Sequence, residues 1–170
     1  HYIGNLVVKN FELYKSINTN DAGAVTGTAY INPLNPLDSA YTDDNETGNF
    51  IRLESGTNYV LSADLGYIRL RDMVMNEILG CSFVLEDRNT GDTVLVVGSP
   101  ADSAGTNLSL MMLKPRNSHP NHPSWPLMFK NVYYLGTTQI NQEGFEVKII
   151  NKRATPESDR DRVTSLPYIT

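Results

Sequence analysis

Alternation of apolar and polar residues dominates this chain, and it predicts strands. The pattern is clearest at residues 79–86, where Leu79, Cys81, Phe83 and Leu85 fall on one face and Gly80, Ser82, Val84 and Glu86 on the other. Residues 87–91, DRNTG, supply a hairpin loop rich in turn formers. Residues 93–97, TVLVV, return as a strand with enough β-branched side chains for both faces to be covered. Leu108, Leu110 and Met112 alternate in the next strand. Upstream, residues 50–71 read as three short strands in a meander, turned at Gly56 and again at Asp64 and Gly66. In residues 5–14, NLVVKNFELY, Leu6 and Val8 share one parity while Phe11 and Leu13 take the other. The switch at Lys9 and Asn10 predicts a β-bulge or a twist. Near the end, Phe145, Val147 and Ile149 alternate as a half-buried strand.

Three stretches break the pattern. Residues 15–49 are polar, with Gly23, Gly27, Pro33 and Pro36, and read as a long surface loop that includes a weak strand at 24–31. Residues 72–78 form a connector with some helical character. Residues 124–135 carry a different period. Trp125, Met128, Phe129, Val132 and Leu135 follow helical spacing, Ser124 is a good N-cap, Pro126 sits in the first turn, and Gly136 is placed to stop the helix. A helix of three turns is marginal alone and must dock on a sheet. The expectation is therefore a mainly β fold, a β-sandwich-like or covered antiparallel sheet, closed on one side by a helix over 124–135. Its core would include Trp125, Met128, Phe129, Val132, Phe83 and Leu85. Residues 1–151 would form one soluble domain, and 152–170, charged and containing Pro156 and Pro167, a polar linker or surface segment.

Composition narrows the function classes. The net charge is −5, and Lys and Arg are scattered among acids. Polyanion binding needs clustered cations, so no nucleic-acid partner is expected. No apolar run reaches the roughly 20 residues of a membrane helix. No basic start leads into an apolar h-region, so no signal peptide is read. The chain starts at His1 and ends on SLPYIT, which reads as a piece excised from a longer protein.

The candidate chemistry is sparse. His119 and His122 lie in a proline-broken loop, with Asp102 and Asn121 as possible neighbours but no metal-motif spacing, and a surface loop is the better reading. Asp43, Asp44, Asn45 and Glu46 could gather around calcium, but their spacing is not that of a calcium loop, and a solvated acidic surface is expected. Cys81 shares a face with Phe83 and Leu85, so it reads as a core thiol rather than a nucleophile. Trp125 with Tyr133 and Tyr134 could stack on a sugar; helical spacing leaves Tyr134 as the exposed aromatic. No nucleophile elbow, phosphate loop or dinucleotide fingerprint is present. No cofactor, metal or catalytic residue is assigned. The surface residues singled out are Tyr134, His119, His122, Asp43 and Asp44.

Four strings in order carry a resemblance: RLESGTNYVLSADLGYIRL at 52–70, LSLMMLKP at 108–115, SWPLMFKNVYYLG at 124–136 and INQEGFEVKI at 140–149. Over residues 50–151 the chain resembles the SprA/Sov family, the very large outer-membrane proteins of the type IX secretion system of Bacteroidota, which are also tied to gliding motility. That family usually has an acidic residue where this chain has Pro126. The resemblance implies a fragment of a single-chain barrel translocon without enzymatic activity. It implies as partners the rest of the barrel chain, a PorV-like outer-membrane protein, a plug protein and secreted cargo. The strands here are short for barrel wall, so a soluble domain on the periplasmic or extracellular side of the outer membrane is expected. The alternative is a stand-alone cell-surface carbohydrate-binding or adhesion module. A hydrolase using His119 or Cys81 is the third class.

Overall fold

The computed structural model describes residues 4–18, 23–99, 107–130 and 143–144. The chain divides into two units, His1–Lys130 and Asn131–Thr170, and everything below concerns the first. The strand expected at 145–149, the segment 152–170, and Val132, Tyr134 and Leu135 lie outside the described residues.

Among the described residues eight strands form in order: β1 (Leu6–Ile17), β2 (Val25–Tyr30), β3 (Glu46–Leu53), β4 (Tyr59–Ser62), β5 (Tyr67–Leu70), β6 (Leu79–Asp87), β7 (Thr93–Val97) and β8 (Leu108–Lys114). Six of them make one sheet in the order β1-β3-β2-β8-β6-β7, and β1 also pairs with β6. That extra pairing closes the sheet into a ring of β1, β3, β2, β8 and β6, with β7 attached along the outer half of β6. The sheet is mixed: β2 runs parallel to β8, and every other pair in it is antiparallel. A closed mixed sheet thus stands where alternation alone suggested two packed sheets or one covered antiparallel sheet.

The bulge expected in β1 is present. The β1–β6 register shifts between Lys9 and Glu12, and Asn10 takes a φ of 49°, the one positive φ at a non-glycine among the described residues. Asn tolerates this conformation through its short polar side chain. Beyond the bulge, β1 presents Phe11 and Leu13 to one side and Glu12, Tyr14 and Ser16 to the other.

Two apolar clusters follow from this parity. Tyr14, Ala29, Phe50, Leu108, Leu110 and Met112 come from four ring strands and meet, with Ile78, inside the ring. On the outside, Leu13, Leu53, Leu79 and Cys81 are covered by the β4–β5 hairpin, through Tyr59, Leu61, Ile68 and Leu70. The cover expected from a helix is therefore a hairpin. Glycine makes the ring tight. A Cβ on Gly27 would lie 2.6 Å from Leu108 Cβ and 2.8 Å from its carbonyl oxygen, and one on Gly80 would lie 2.9 Å from Leu110 Cβ. These positions let the β8 side chains fill the interior.

The polar stretch 15–49 is less of a loop than its composition suggests. Strands take residues up to Ile17, then Val25–Tyr30, then from Glu46 onward. Thr, Asn and Gly in these strands face outward or line close approaches: Thr28 and Thr47 hydroxyls bond across β2–β3 at 2.9 Å, and Thr26 donates to Asn49 at 3.1 Å. Residues 72–78 hold no helix. They are tied by Lys114, whose Nζ donates to the carbonyls of Met75, Glu77 and Pro115 at 2.8, 3.1 and 2.9 Å.

The predicted helix at 124–135 is the main correction. Among its described residues, 124–130, only a 3-10 turn forms, Trp125–Leu127, and Met128 already has extended backbone at φ −83° and ψ 138°. The cause is local. Ser124 does not cap the turn; its hydroxyl is engaged with His122. Over these described residues there is no buried stripe. Trp125 and Met128 are half-buried, and Phe129 is 69% exposed. Phe83 is half-buried and packs on the outer cluster, and Leu85 is half-buried.

Candidate functional site

Two places gather polar side chains that the sequence singled out or left unmarked. The first joins the acidic 3-10 turn Thr42–Asp44 to the proline-rich loop after β8. His122 is buried, at 7% exposure, which removes it from the expected interaction surface. Its Nδ1 accepts the Ser124 backbone N–H at 3.2 Å and lies 2.9 Å from Ser124 Oγ. With Nδ1 accepting, the neutral ring carries its proton on Nε2, which faces Asp44 Oδ1 at 4.0 Å. The His119 ring stands perpendicular to it at 5.6 Å between centroids and is itself exposed.

Asp44, His122 and Ser124 fall in the order of a nucleophilic relay, but the geometry does not serve one. Ser124 is 2% exposed, so no substrate carbonyl can reach its hydroxyl. A metal reading meets a similar obstacle, because the ring nitrogen facing Asp44 is the one that carries hydrogen. Among the described residues no three His, Cys, Asp or Glu side chains come together as a metal set. The acidic turn does not converge on a cation either. Asn45 Oδ1 accepts the Ile31 N–H at 3.0 Å, Glu46 Oε1 accepts the Arg116 N–H at 2.9 Å, and Asp43 is exposed. This cluster pins the loop to the sheet.

The aromatics of the loop are spread out. Lys130 Nζ lies 5.8 Å over the Trp125 ring, and Phe129 meets Tyr67 edge-on at 5.5 Å. Tyr134 lies outside the described residues. Cys81 is 1% exposed, and burial pushes its thiol up to about 12, so it is inert as a nucleophile at neutral pH.

The second place was not legible in the sequence. Beyond the β1 bulge, Glu12 turns inward and is 7% exposed. Tyr14 Oη donates to Glu12 Oε2 at 2.6 Å, and Arg52 Nη1 lies 3.1 Å from Glu12 Oε1. The carboxylate is thus held on both oxygens, and in turn it holds a guanidinium that is 56% exposed. Beside Arg52 lies an open depression of about 440 Å³, lined by Phe11, Arg52, Leu53, Glu54, Ser55 and Tyr59. Burial raises the Tyr59 phenol above its ordinary range, against the lowering influence of a Ser55 hydrogen bond and the Arg52 charge. The only signal that could have found this place was the parity switch at Asn10, which puts Glu12 on the side of Arg52.

No protein-family model, curated protein or solved structure matches this chain. The likeness to the secretion family rests on the sequence strings alone.

Proposed function

We propose that this chain is a non-enzymatic scaffolding and interaction domain of an outer-membrane protein-secretion translocon, of the kind that serves type IX secretion and gliding motility. It works as a soluble domain on the periplasmic or extracellular side. Its partners are the rest of its barrel chain, a PorV-like outer-membrane protein, the plug protein and cargo. The strings quoted above motivate the family. The observation that carries an interaction role is strand β7. Among the described residues β7 pairs on one side only, with β6. Its Val94 and Val96 are 55% and 51% exposed, with no Lys or Pro in Thr93–Val97 to guard the edge. An unguarded apolar edge strand is a ready place for another chain to add a strand.

Deleting the region that encodes residues 1–130 from its parent gene, followed by assays of cargo export and gliding, tests this reading. Loss of export with the remaining protein still present in the outer membrane is expected. Normal export and motility would exclude it. A carbohydrate-binding or adhesion module at the cell surface is the second reading, favoured by the side chains around Arg52.

A further inference from the structure

We infer that the depression beside Arg52 is a subsite for a neutral, polyhydroxylated ligand, a saccharide unit. It stands apart from the translocon reading, since such a subsite serves a domain of a secretion machine and a stand-alone surface protein alike.

Charge balance gives the first argument. The one cation of the depression, Arg52, is paired from below by the buried carboxylate of Glu12. Glu54 supplies a second carboxylate at the rim. An anionic ligand approaching the guanidinium would meet Glu54, and a cationic one approaching Glu54 would meet Arg52. A hydroxyl group meets neither penalty, because it both donates and accepts.

The polar side chains also match a polyol in kind. Arg52 offers its remaining N–H donors, Glu54 two acceptor oxygens, and Ser55 a hydroxyl oxygen that can still accept while its hydrogen is engaged with Tyr59. Phe11, half-exposed, supplies an apolar face, backed by the buried Leu53 and Tyr59. A ligand with hydroxyls on its rim and C–H groups on its face uses both kinds of surface.

The third argument is preorganisation. Arg52 is held by Glu12, and Glu12 by Tyr14. Glu54 and Ser55 sit on a closed turn: Asn58 N–H donates to the Glu54 carbonyl at 2.8 Å, Gly56 N–H to the Tyr59 carbonyl at 2.8 Å, and Glu54 N–H to Asn58 Oδ1 at 2.9 Å. Gly56, at a φ of 83°, makes that turn possible without strain. Phe11 is fixed edge-on to Tyr59 at 5.7 Å between centroids. Groups held in this way lose little freedom on binding.

The test titrates the full chain with glucose, galactose, mannose, N-acetylglucosamine and their β-1,4-linked trimers, with acetate and ethylammonium as charged controls. Amide NMR shifts report the place of binding. At least one saccharide is expected to move the signals of Phe11, Ser55 and Tyr59 saturably, with a dissociation constant on the order of 1 mM. Glu54→Gln and Ser55→Ala, both at exposed positions, should each weaken binding about tenfold, Glu54→Gln with the thermal midpoint unchanged and Ser55→Ala with a lower one, because it also removes the hydrogen bond to the buried Tyr59 phenol. The inference is overturned if no saccharide of the panel moves these signals, if the two variants bind as the parent does, or if acetate or ethylammonium binds more tightly than the sugars. Export assays decide the translocon reading separately, and neither result depends on the other.

Discussion

Ser16 and Ile78 hold each other by two reciprocal hydrogen bonds. The Ser16 N–H donates to the Ile78 carbonyl at 2.9 Å, and the Ile78 N–H donates to Ser16 Oγ at 2.8 Å, across 62 residues of sequence. Both residues are buried, at 3% and 0% exposure. A serine near the end of β1 thereby substitutes for a strand partner and delivers Ile78 into the interior cluster. Ser16→Ala leaves a buried N–H without its acceptor and should cost about 1–3 kcal/mol. Urea unfolding measures it. A change within about 0.5 kcal/mol, the range of an ordinary surface substitution, would mean that the link does not stabilise the fold.

The interior glycines separate two kinds of crowding. A methyl at Gly27 would meet the Leu108 backbone, since its carbonyl oxygen would lie at 2.8 Å. One at Gly80 would meet Leu110 Cβ at 2.9 Å and Cδ1 at 3.0 Å, of which a rotamer change can move only the second. Gly27→Ala should therefore destabilise by about 1–3 kcal/mol through overpacking, and Gly80→Ala by less. Thermal unfolding of the two variants checks the order. Equal effects would show that β2 and β8 can move apart as readily as Leu110 can turn.

Cys81 makes stability depend on pH at the alkaline end. Its folded-state value, about 12, lies above the ordinary thiol value of 9.0 because burial opposes the thiolate. The thiol form is the one the fold accepts. Its contribution is complete below pH 9, and it is lost as pH rises towards 12, because the unfolded chain releases its proton first. The slope from this group approaches about 1.4 kcal/mol per pH unit. Cys81→Ala should remove that part of the slope while lowering stability at neutral pH through the cavity it leaves. In native protein at pH 8, Cys81 should resist iodoacetamide, and urea should expose it. Rapid native alkylation would contradict its burial.

The parts of this fold that were legible share a cause. β6, β7, β8 and the loop between β6 and β7 follow from local alternation and turn chemistry, which act over a few residues. The β1 bulge was legible because a change of face has no other simple reading. Ring closure was not legible. It depends on β2 lying parallel to β8 and β1 reaching both β3 and β6, and such pairings leave no mark in either strand alone. The polar stretch misled because Thr26, Thr28, Thr47 and Asn49 bond to each other across strands; polarity there reflects an outward face, not a loop. The helix failed for a third reason. Ser124 stands at the cap position, but its hydroxyl is engaged with the His122 ring two residues away. The pairing of His122 with Asp44 and of Glu12 with Arg52 joins distant strands and loops, so the residues were visible and their meeting was not.

His122 offers a test of which ring nitrogen matters. Nδ1 receives the Ser124 N–H and hydroxyl, while Nε2 faces Asp44 only at 4.0 Å. An Asn side chain places its oxygen near the position of Nδ1, and a Gln side chain places its polar atoms near Nε2. If the turn depends on Nδ1, His122→Asn should retain most of the stability and His122→Gln should not. His122→Ala should leave the buried Ser124 groups without an acceptor and cost about 1–3 kcal/mol. Fluorescence of Trp125, the sole tryptophan, reports the state of the adjoining turn during unfolding. Rescue by Gln rather than Asn would shift the weight to the Asp44 contact. That outcome would make the cluster a hydrogen-bonded tie between two loops rather than a turn held within one.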